Sequence, residues 1–595
     1  MALADPARAP LRAGRARPAA EWLRNPWALA GLVGLLAAAV LWLIVQPLTG
    51  TTVDTDAATT VTYFNRLIHG QRLEALLPTT PKPLLTVVFG LIWTLTGDWR
   101  TLTILTVAVG AAAVAMAARL AARLGGVGAA VIVAIAVMAW PDFAVEVAHA
   151  NSFVWGLALW LLAAVLVTAD RPRPWLAGVA LLLAALTRTE TIYLLGAALA
   201  CSSWVLLRSF RVGHRNDLRI AAPLLVGVLA VPLACLHDLL LTGKPLYWLG
   251  VPASYTASTD PNLGSVPPLD FLKSEIVHYR PVAALVVLAV IGVVWLVMSR
   301  RRAVAFVLTW FVGAVLVALI LLAWRAIFVS TRYYEEADAV VLLAAAIGAA
   351  AVIRWSVEWA KRMPGNRSLG WALVSVCVGA ATAVIVSIAH FGYGALVGIL
   401  LALSLVLFLQ YAAGSRPDRE RWWSLAPGLL AAILVISVVA GDVPHGAVDP
   451  SLTRSRQSAV VLETVIAPIT TILAGAKGGT TILNGSNYPV VDETSCRMFV
   501  PRAYIPLISL ETHADLTALG DSFLAFRYGH YQLKAGQWVL HISSTDGLGG
   551  AYAPFENAGP TTLLATDGQR VLIVPVIVDP QRGLWLDRVD AAPTS

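Results

Sequence analysis

The chain has 595 residues, of which 58% are hydrophobic and only 13% are charged, and its mean hydropathy is +0.74. Soluble domains carry about 25% charged residues, so this composition excludes an ordinary soluble protein and indicates a polytopic membrane protein. The formal net charge of +8 is typical of membrane proteins with basic cytoplasmic loops. No motif for binding nucleic acid accompanies it, so we expect membrane lipid and no nucleic acid as a partner.

The first 26 residues form a basic tail before a long apolar run. The tail contains five arginines, and the run from Trp27 to Leu48 is too long for the core of a signal peptide and lacks a cleavage site after it. We therefore predict a retained first span with a cytoplasmic N-terminus.

The positions of the lysines and arginines predict on which side of the membrane each loop within residues 27–441 lies. The apolar segment 84–96 has about 13 residues, short of the ~20 needed to cross, so we expect it to lie on the outer leaflet or dip into it. More than half of the 43 lysines and arginines then fall in the tail and the inner loops, as the positive-inside rule requires. The predicted spans are thirteen: 27–48, 102–118, 127–140, 152–168, 174–187, 192–207, 220–241, 282–298, 303–324, 339–353, 371–389, 394–409 and 425–440.

The odd number of spans places residues 442–595 outside the membrane. This region begins with the helical pattern SAVVLETVIAPITTILAG and continues with alternating segments such as TTILNG, WVLHISS and RVLIVPVIV. We predict an α-helical polytopic membrane protein with a C-terminal extracytoplasmic α/β domain. The four cysteines show no spacing typical of a disulfide framework or a metal site.

The first extracytoplasmic loop, residues 49–97, concentrates ionisable groups. Asp54 and Asp56 follow the first span closely, so both carboxylates should meet water at the membrane surface, where one of them can act as a general base. Either aspartate can instead cap the helix that begins near AATTVTYFNRLI, and the two roles are compatible.

Other ionisable or polar residues fall on the same predicted outer side. Ionisable groups near a membrane are costly and therefore suggest function. Cations opposite carboxylates suit the transfer of a group from a lipid phosphate, although Arg188 can also simply pair with Glu190, Arg332 with Glu335, and Lys82 can be an interfacial anchor. The candidates for one outward-facing cavity are Lys82, Glu146, His149, Arg188, Glu190, Asp238, Arg332, Tyr333 and Tyr334.

These motifs, in this order, resemble the GT-C superfamily of membrane glycosyltransferases, in particular the branch with protein O-mannosyltransferases and aminoarabinose transferases. An acidic motif after the first span is followed by Gly70 and by Lys82-Pro83-Leu84, which is similar to the Lys-Pro-Pro-Leu segment of the family with its second proline missing. Arg188-Thr189-Glu190, HDLLLTGKPLYW and STRYYEEADAVVLLAA resemble further family motifs. The resemblance covers most of residues 27–360.

The resemblance implies an inverting transfer of a sugar from a polyprenyl-phosphate donor to an acceptor hydroxyl at the outer face, as in mannosyltransferase-like enzymes of the cell envelope. Asp54 or Asp56 would be the base, and Lys82, Arg332 and Arg188 would bind the donor phosphate. The family works mostly without a required metal, so we expect no cofactor, while a divalent ion bridging Asp54 and Asp56 stays open.

Neither the sugar nor the acceptor, whether a glycan, a lipid or a protein, follows from the sequence. The composition indicates the inner membrane of a bacterium. A transporter or a flippase for lipid-linked sugars is the alternative, but it predicts repeated halves and charges near the bilayer midplane. Here the ionisable residues gather at one face.

Overall fold

A computed structural model describes eleven helices, a five-stranded sheet and some of their connections. The residues that it describes are 26–49, 55–68, 82–169, 171–188, 191–192, 195–196, 199, 223–248, 280–298, 335–362, 464, 466–468, 471, 498–499, 535–536, 538–542, 561–564, 570–579, 581 and 584–592. The predicted spans at 303–324, 371–389, 394–409 and 425–440 lie outside these residues, as do most of 192–207 and the site candidates Asp54, Glu190, Arg332, Tyr333 and Tyr334.

The helices in chain order are α1 Pro26–Thr49, α2 Thr55–Ile68, α3 Pro83–Thr96, α4 Trp99–Gly125, α5 Val127–Ala139, α6 Pro141–Ala148, α7 Ser152–Val167, α8 Pro174–Thr187, α9 Ala230–Thr242, α10 Arg280–Met298 and α11 Glu335–Arg362. Within the described part of the chain, three helical segments are long and apolar enough to cross a bilayer, namely Trp27–Gln46, Trp99–Gly125 and Pro223–Leu240. Shorter apolar helices accompany them. The chain is therefore a helical membrane protein.

Helices α1, α4, α5, α7 and α11 share one apolar core that is rich in alanine. Small side chains allow membrane helices to approach closely and gain dispersion contacts along their length. A close crossing joins α10 and α11, where Gly292 lies against the backbone of Ala344, and Gly348 lies against the backbone of Leu288. A side chain at either glycine would collide with the opposite helix.

Helix α4 is longer than the predicted span 102–118, because it continues through Arg119 and Arg123. The guanidinium carbon of Arg119 lies 3.7 Å from the centroid of the Trp27 ring at the start of α1. This cation–π contact lets a buried arginine remain inside the helix, so a basic residue does not mark the end of this helix.

The segment between the predicted spans 127–140 and 152–168 is not an open loop, because Pro141–Ala148 forms helix α6. Phe143 and Val147 lie one turn apart and are both fully buried, so the segment has an apolar face to pack. Ala150 then takes a left-handed φ of 53°, and the Asn151 side chain caps α7 by accepting a hydrogen bond from the Phe153 amide at 2.9 Å.

The sheet is formed by β1 Met498–Phe499, β2 Trp538–Ile542, β3 Thr561–Leu564, β4 Arg570–Asp579 and β5 Leu584–Ala591, in the order β1-β2-β5-β4-β3. Strands β1 and β2 are parallel and the other neighbours are antiparallel. Strands β2 and β4 fall on the segments WVLHISS and RVLIVPVIV, as predicted, whereas TTILNG lies outside the described residues. The predicted helical segment that precedes the sheet is helical at the positions described within it, 464, 466–468 and 471.

Candidate active site

Lys82 is the N-cap residue of helix α3, which begins at Pro83. Proline suits this position because its missing N–H is one that a helix start leaves unpaired. At 14 residues α3 is about 21 Å long, shorter than the hydrocarbon core of a bilayer. Val87, Leu91 and Leu95 are exposed along one face of α3, so that face is suited to lipid.

Helix α2 runs parallel to α3 and is fixed to it by a glycine. Gly90 of α3 lies directly against the side chain of Phe64 of α2, and a Cβ at this position would overlap the ring. Eight residues earlier on both helices, Lys82 Nζ lies 3.3 Å from Asp56 Oδ2. The two contacts are eight residues apart on each helix, so the helices lie side by side and run in the same direction, with their N-termini together.

The Asp56–Lys82 pair combines a buried cation with an accessible carboxylate. The Lys82 side chain is 9% exposed and the Asp56 side chain is 44% exposed. A lysine with its charge held in a buried position can bind an anion strongly, because little water competes for its N–H groups. The carboxylate beside it remains open to a second reactant. Since α2 begins at Thr55, Asp56 lies in its first turn and is not the N-cap.

Asp238 lies within α9, near its end, and is almost fully buried. Its Oδ2 accepts a hydrogen bond from the Trp248 amide at 2.6 Å, and its Oδ1 lies 3.0 Å from Nδ1 of His237. The His237 ring in turn contacts the Tyr63 ring of α2, with a distance of 6.4 Å between ring centroids. Asp238 is thus connected to the helix that carries Asp56.

Glu146, His149 and Arg188 are all buried at helix ends. Glu146 lies in α6 and His149 follows it, while Arg188 directly follows α8. Helices α7 and α8 form a hairpin, so Asn151 at the start of α7 and Arg188 at the end of α8 lie at the same end. The Trp155 ring in α7 meets the Phe89 ring of α3 at 5.5 Å, which places this end of the hairpin beside α3.

The structure therefore joins Asp56 to Lys82 directly and connects Asp238 to α2 through two aromatic rings. It places Glu146 and His149 at the C-terminal end of α6 and Arg188 at the C-terminal end of α8. Sequence reasoning missed Tyr63, His237 and the Phe64–Gly90 contact. One usable signal was that Tyr63 lies seven residues after Asp56, and therefore on the same face of α2. In the described part of the chain, His, Cys, Asp and Glu form no group of three or more that could hold a metal ion.

No family model matches the chain, and no curated protein matches its sequence. Solved structures of membrane enzymes are similar to it. ArnT from Cupriavidus metallidurans bound to undecaprenyl phosphate is 14% identical with a TM-score of 0.45, over 95% of this chain and 99% of that one. The same ArnT in the apo state is also 14% identical, with a TM-score of 0.41, over 97% and 100%.

An oligosaccharyltransferase from Archaeoglobus fulgidus, tethered with an acceptor peptide, is 12% identical with a TM-score of 0.44, over 93% of this chain and 74% of that one. ArnT and this oligosaccharyltransferase are both members of the GT-C superfamily, which is the family that the motifs of the sequence resemble.

Proposed function

We propose that this protein is a glycosyltransferase of the membrane that moves a sugar from a polyprenyl-phosphate donor to an acceptor hydroxyl. The observation that carries this proposal is the Asp56–Lys82 pair, in which a half-exposed carboxylate and a buried ammonium group are held 3.3 Å apart at the start of two parallel helices. The order of the motifs that resemble GT-C enzymes supports the same reaction class.

In the proposed reaction, the acceptor oxygen attacks the anomeric carbon of the sugar from the side opposite the phosphate. Asp56 takes the proton of the acceptor hydroxyl, a new C–O bond forms, and the bond between the anomeric carbon and the phosphate oxygen breaks. Polyprenyl phosphate leaves with the electron pair of that bond, so the anomeric configuration is inverted. Asp54 directly precedes α2 and is the other candidate for the base.

Lys82 has a different task, which is to neutralise the phosphate as negative charge develops on the leaving oxygen. In the structure its ammonium group is paired with Asp56. A phosphate that replaces Asp56 as the partner of Lys82 would leave the Asp56 carboxylate available to the acceptor hydroxyl. Binding of the donor and activation of the base would then be coupled through one lysine. Arg188 and Arg332 are proposed as further phosphate-binding residues.

The proposed location is the inner membrane of a bacterium, with the reaction on the extracytoplasmic side. The exposed apolar face of α3 suits a helix that touches lipid, as access for a polyprenyl chain requires. No metal or other cofactor is proposed for the reaction, because one carboxylate and one or more cations supply the base and the phosphate site.

The proposal is tested by assaying the purified protein in lipid nanodiscs with labelled polyprenyl-phosphate sugars and a membrane extract as the source of acceptor. Asp56→Asn should lower kcat by about 10²- to 10⁴-fold, the usual contribution of a general base. Asp54→Asn is the matched variant, because it removes one carboxylate from the same segment. Transfer that persists unchanged in both variants would exclude this assignment of the base.

A further inference from the structure

Tyr63 is a buried tyrosine on the helix that carries Asp56. Its side chain is on the same face of α2 as Asp56, since seven residues make two helical turns. The residue is only 2% exposed, and its hydroxyl has no hydrogen-bond partner in the described part of the structure. Buried hydroxyls nearly always have a partner, which makes this hydroxyl a candidate for binding a ligand group.

The ring beside Tyr63 belongs to His237, whose orientation is fixed by Asp238. His237 Nδ1 lies 3.0 Å from Asp238 Oδ1, and the planes of the Tyr63 and His237 rings are tilted by 50°. A carboxylate oxygen accepts hydrogen bonds, so Nδ1 carries a hydrogen, and Nε2 is the second polar atom of the ring. The Trp248 amide holds the other oxygen of Asp238 in place.

Tyr63 and His237 together therefore provide one hydroxyl and one further ring nitrogen near the Asp238 carboxylate. Burial and, second to it, the Asp238 carboxylate raise the pKa of Tyr63, so its hydroxyl keeps its proton and can donate it in a hydrogen bond. The same carboxylate repels an anion at this position. Hydroxyl groups of a ligand can accept from Tyr63 and can either donate to Nε2 or accept from it, so they fit this chemistry better than a phosphate does.

The separation from Asp56 also fits a sugar. Seven residues of helix correspond to roughly 10 Å, which one sugar ring with a hydrogen bond at each end can bridge. We propose that Tyr63 and His237 bind hydroxyl groups of the sugar on the donor, while Lys82 binds its phosphate. This inference rests on the proposed function, since it names the sugar site of the same reaction.

The test measures equilibrium binding of four labelled lipids to the full-length protein in nanodiscs: undecaprenyl phosphate and its mannosyl, glucosyl and arabinofuranosyl derivatives. The parent protein should bind at least one sugar-bearing lipid more tightly than undecaprenyl phosphate. Tyr63→Phe and His237→Phe should each weaken binding of that lipid about 3- to 10-fold, the usual effect of losing one hydrogen bond. Neither should change the affinity for undecaprenyl phosphate.

Thr62→Val is the matched control, because it removes a neighbouring buried hydroxyl that bonds to the Ala58 carbonyl of its own helix at 2.9 Å. It should leave all four affinities unchanged. If undecaprenyl phosphate binds through Lys82 but Tyr63→Phe leaves binding of every sugar-bearing lipid unchanged, the sugar site is wrong and the proposed function stands. If the parent protein binds none of the four lipids, both are wrong.

Discussion

Lys82 Nζ lies 3.3 Å from Asp56 Oδ2, although 26 residues separate the two in the sequence. The contact is possible because Phe64 rests on Gly90 eight residues further along the same two helices. One glycine thus aligns a pair of helices and, through them, a carboxylate and a cation. The following predictions test this alignment, the role of the cation, the helix core and the C-terminal sheet.

Lys82→Ala should weaken binding of undecaprenyl phosphate about 10- to 100-fold, because a buried charged donor to the phosphate is lost. Lys82→Arg should retain part of the affinity, since it keeps the charge but changes the geometry. Equilibrium binding in nanodiscs measures both. The control is Arg100→Ala, which removes an exposed cation from the first turn of α4. An equal loss in Arg100→Ala would mean that the surface charge in general, and not Lys82, attracts the lipid.

Gly90→Leu should lower the transfer rate at least 10-fold, because the new side chain displaces Phe64 and shifts α2 relative to α3. Combining it with Phe64→Ala exchanges the large and small residues and should recover part of the rate. Initial rates and thermal unfolding of the single and double variants give the comparison. No recovery in the double variant, with both proteins folded, would show that the contact does not set the Asp56–Lys82 geometry.

Gly348→Leu should lower the Tm of the protein in detergent, at a cost of about 1–3 kcal/mol, because a side chain there meets the backbone of Leu288 at the crossing of α10 and α11. Gly128→Ala in α5 is the control. A Cβ at Gly128 meets no atom within 4 Å, so this change should leave the Tm the same or raise it slightly through helix propensity. An equal Tm in the two variants would contradict the close crossing of α10 and α11.

The C-terminal sheet should be less stable at neutral pH than at pH 4 because of Asp587. This residue is fully buried in β5, neither carboxyl oxygen has a hydrogen-bond partner among the described residues, and burial raises the pKa to about 6 from 3.8. Between these two values the unfolded chain loses the proton before the folded one does. Stability therefore falls as the pH rises from 3.8 to 6, by roughly 1–3 kcal/mol in total.

Amide hydrogen exchange of β4 and β5, corrected for intrinsic rates, measures this effect. Asp587→Asn should make the protection of both strands nearly independent of pH across that range. Asp590→Asn is the matched control, because Asp590 is on the same strand, partly exposed and paired with Arg588 at 2.8 Å. If the protection of the two strands still depended on pH in Asp587→Asn, groups other than Asp587 would cause that dependence.

Apolar runs in the sequence predicted some helices of this protein to within one residue and others only in part. The spans at 27–48 and 174–187 coincide within one residue with α1 and α8, because long apolar runs bounded by polar residues define helices in a membrane. The prediction failed where a side chain had a partner far away in the chain. Helix α4 continues through Arg119, whose guanidinium group stacks on Trp27. The connection after α5 is helical because Phe143 and Val147 are buried in the core.

Charge, position and a resemblance make Asp56 and Lys82 candidates from the sequence alone, and the structure brings their side chains into contact. Tyr63 and His237 carry little signal of their own, since a tyrosine and a histidine at the ends of apolar segments are common at a membrane interface. Their importance depends on the contact between α2 and α9, which no local pattern contains.

Composition and the order of charges by themselves determined that this chain lies in a membrane, because charged side chains are costly to place in lipid. They also made the segment after the first span the candidate place for chemistry. Only the tertiary structure decided that Lys82 faces Asp56 and that His237 meets Tyr63. The Lys82–Asp56 contact depends on how closely α2 and α3 can approach, and Gly90 permits that approach because it has no side chain.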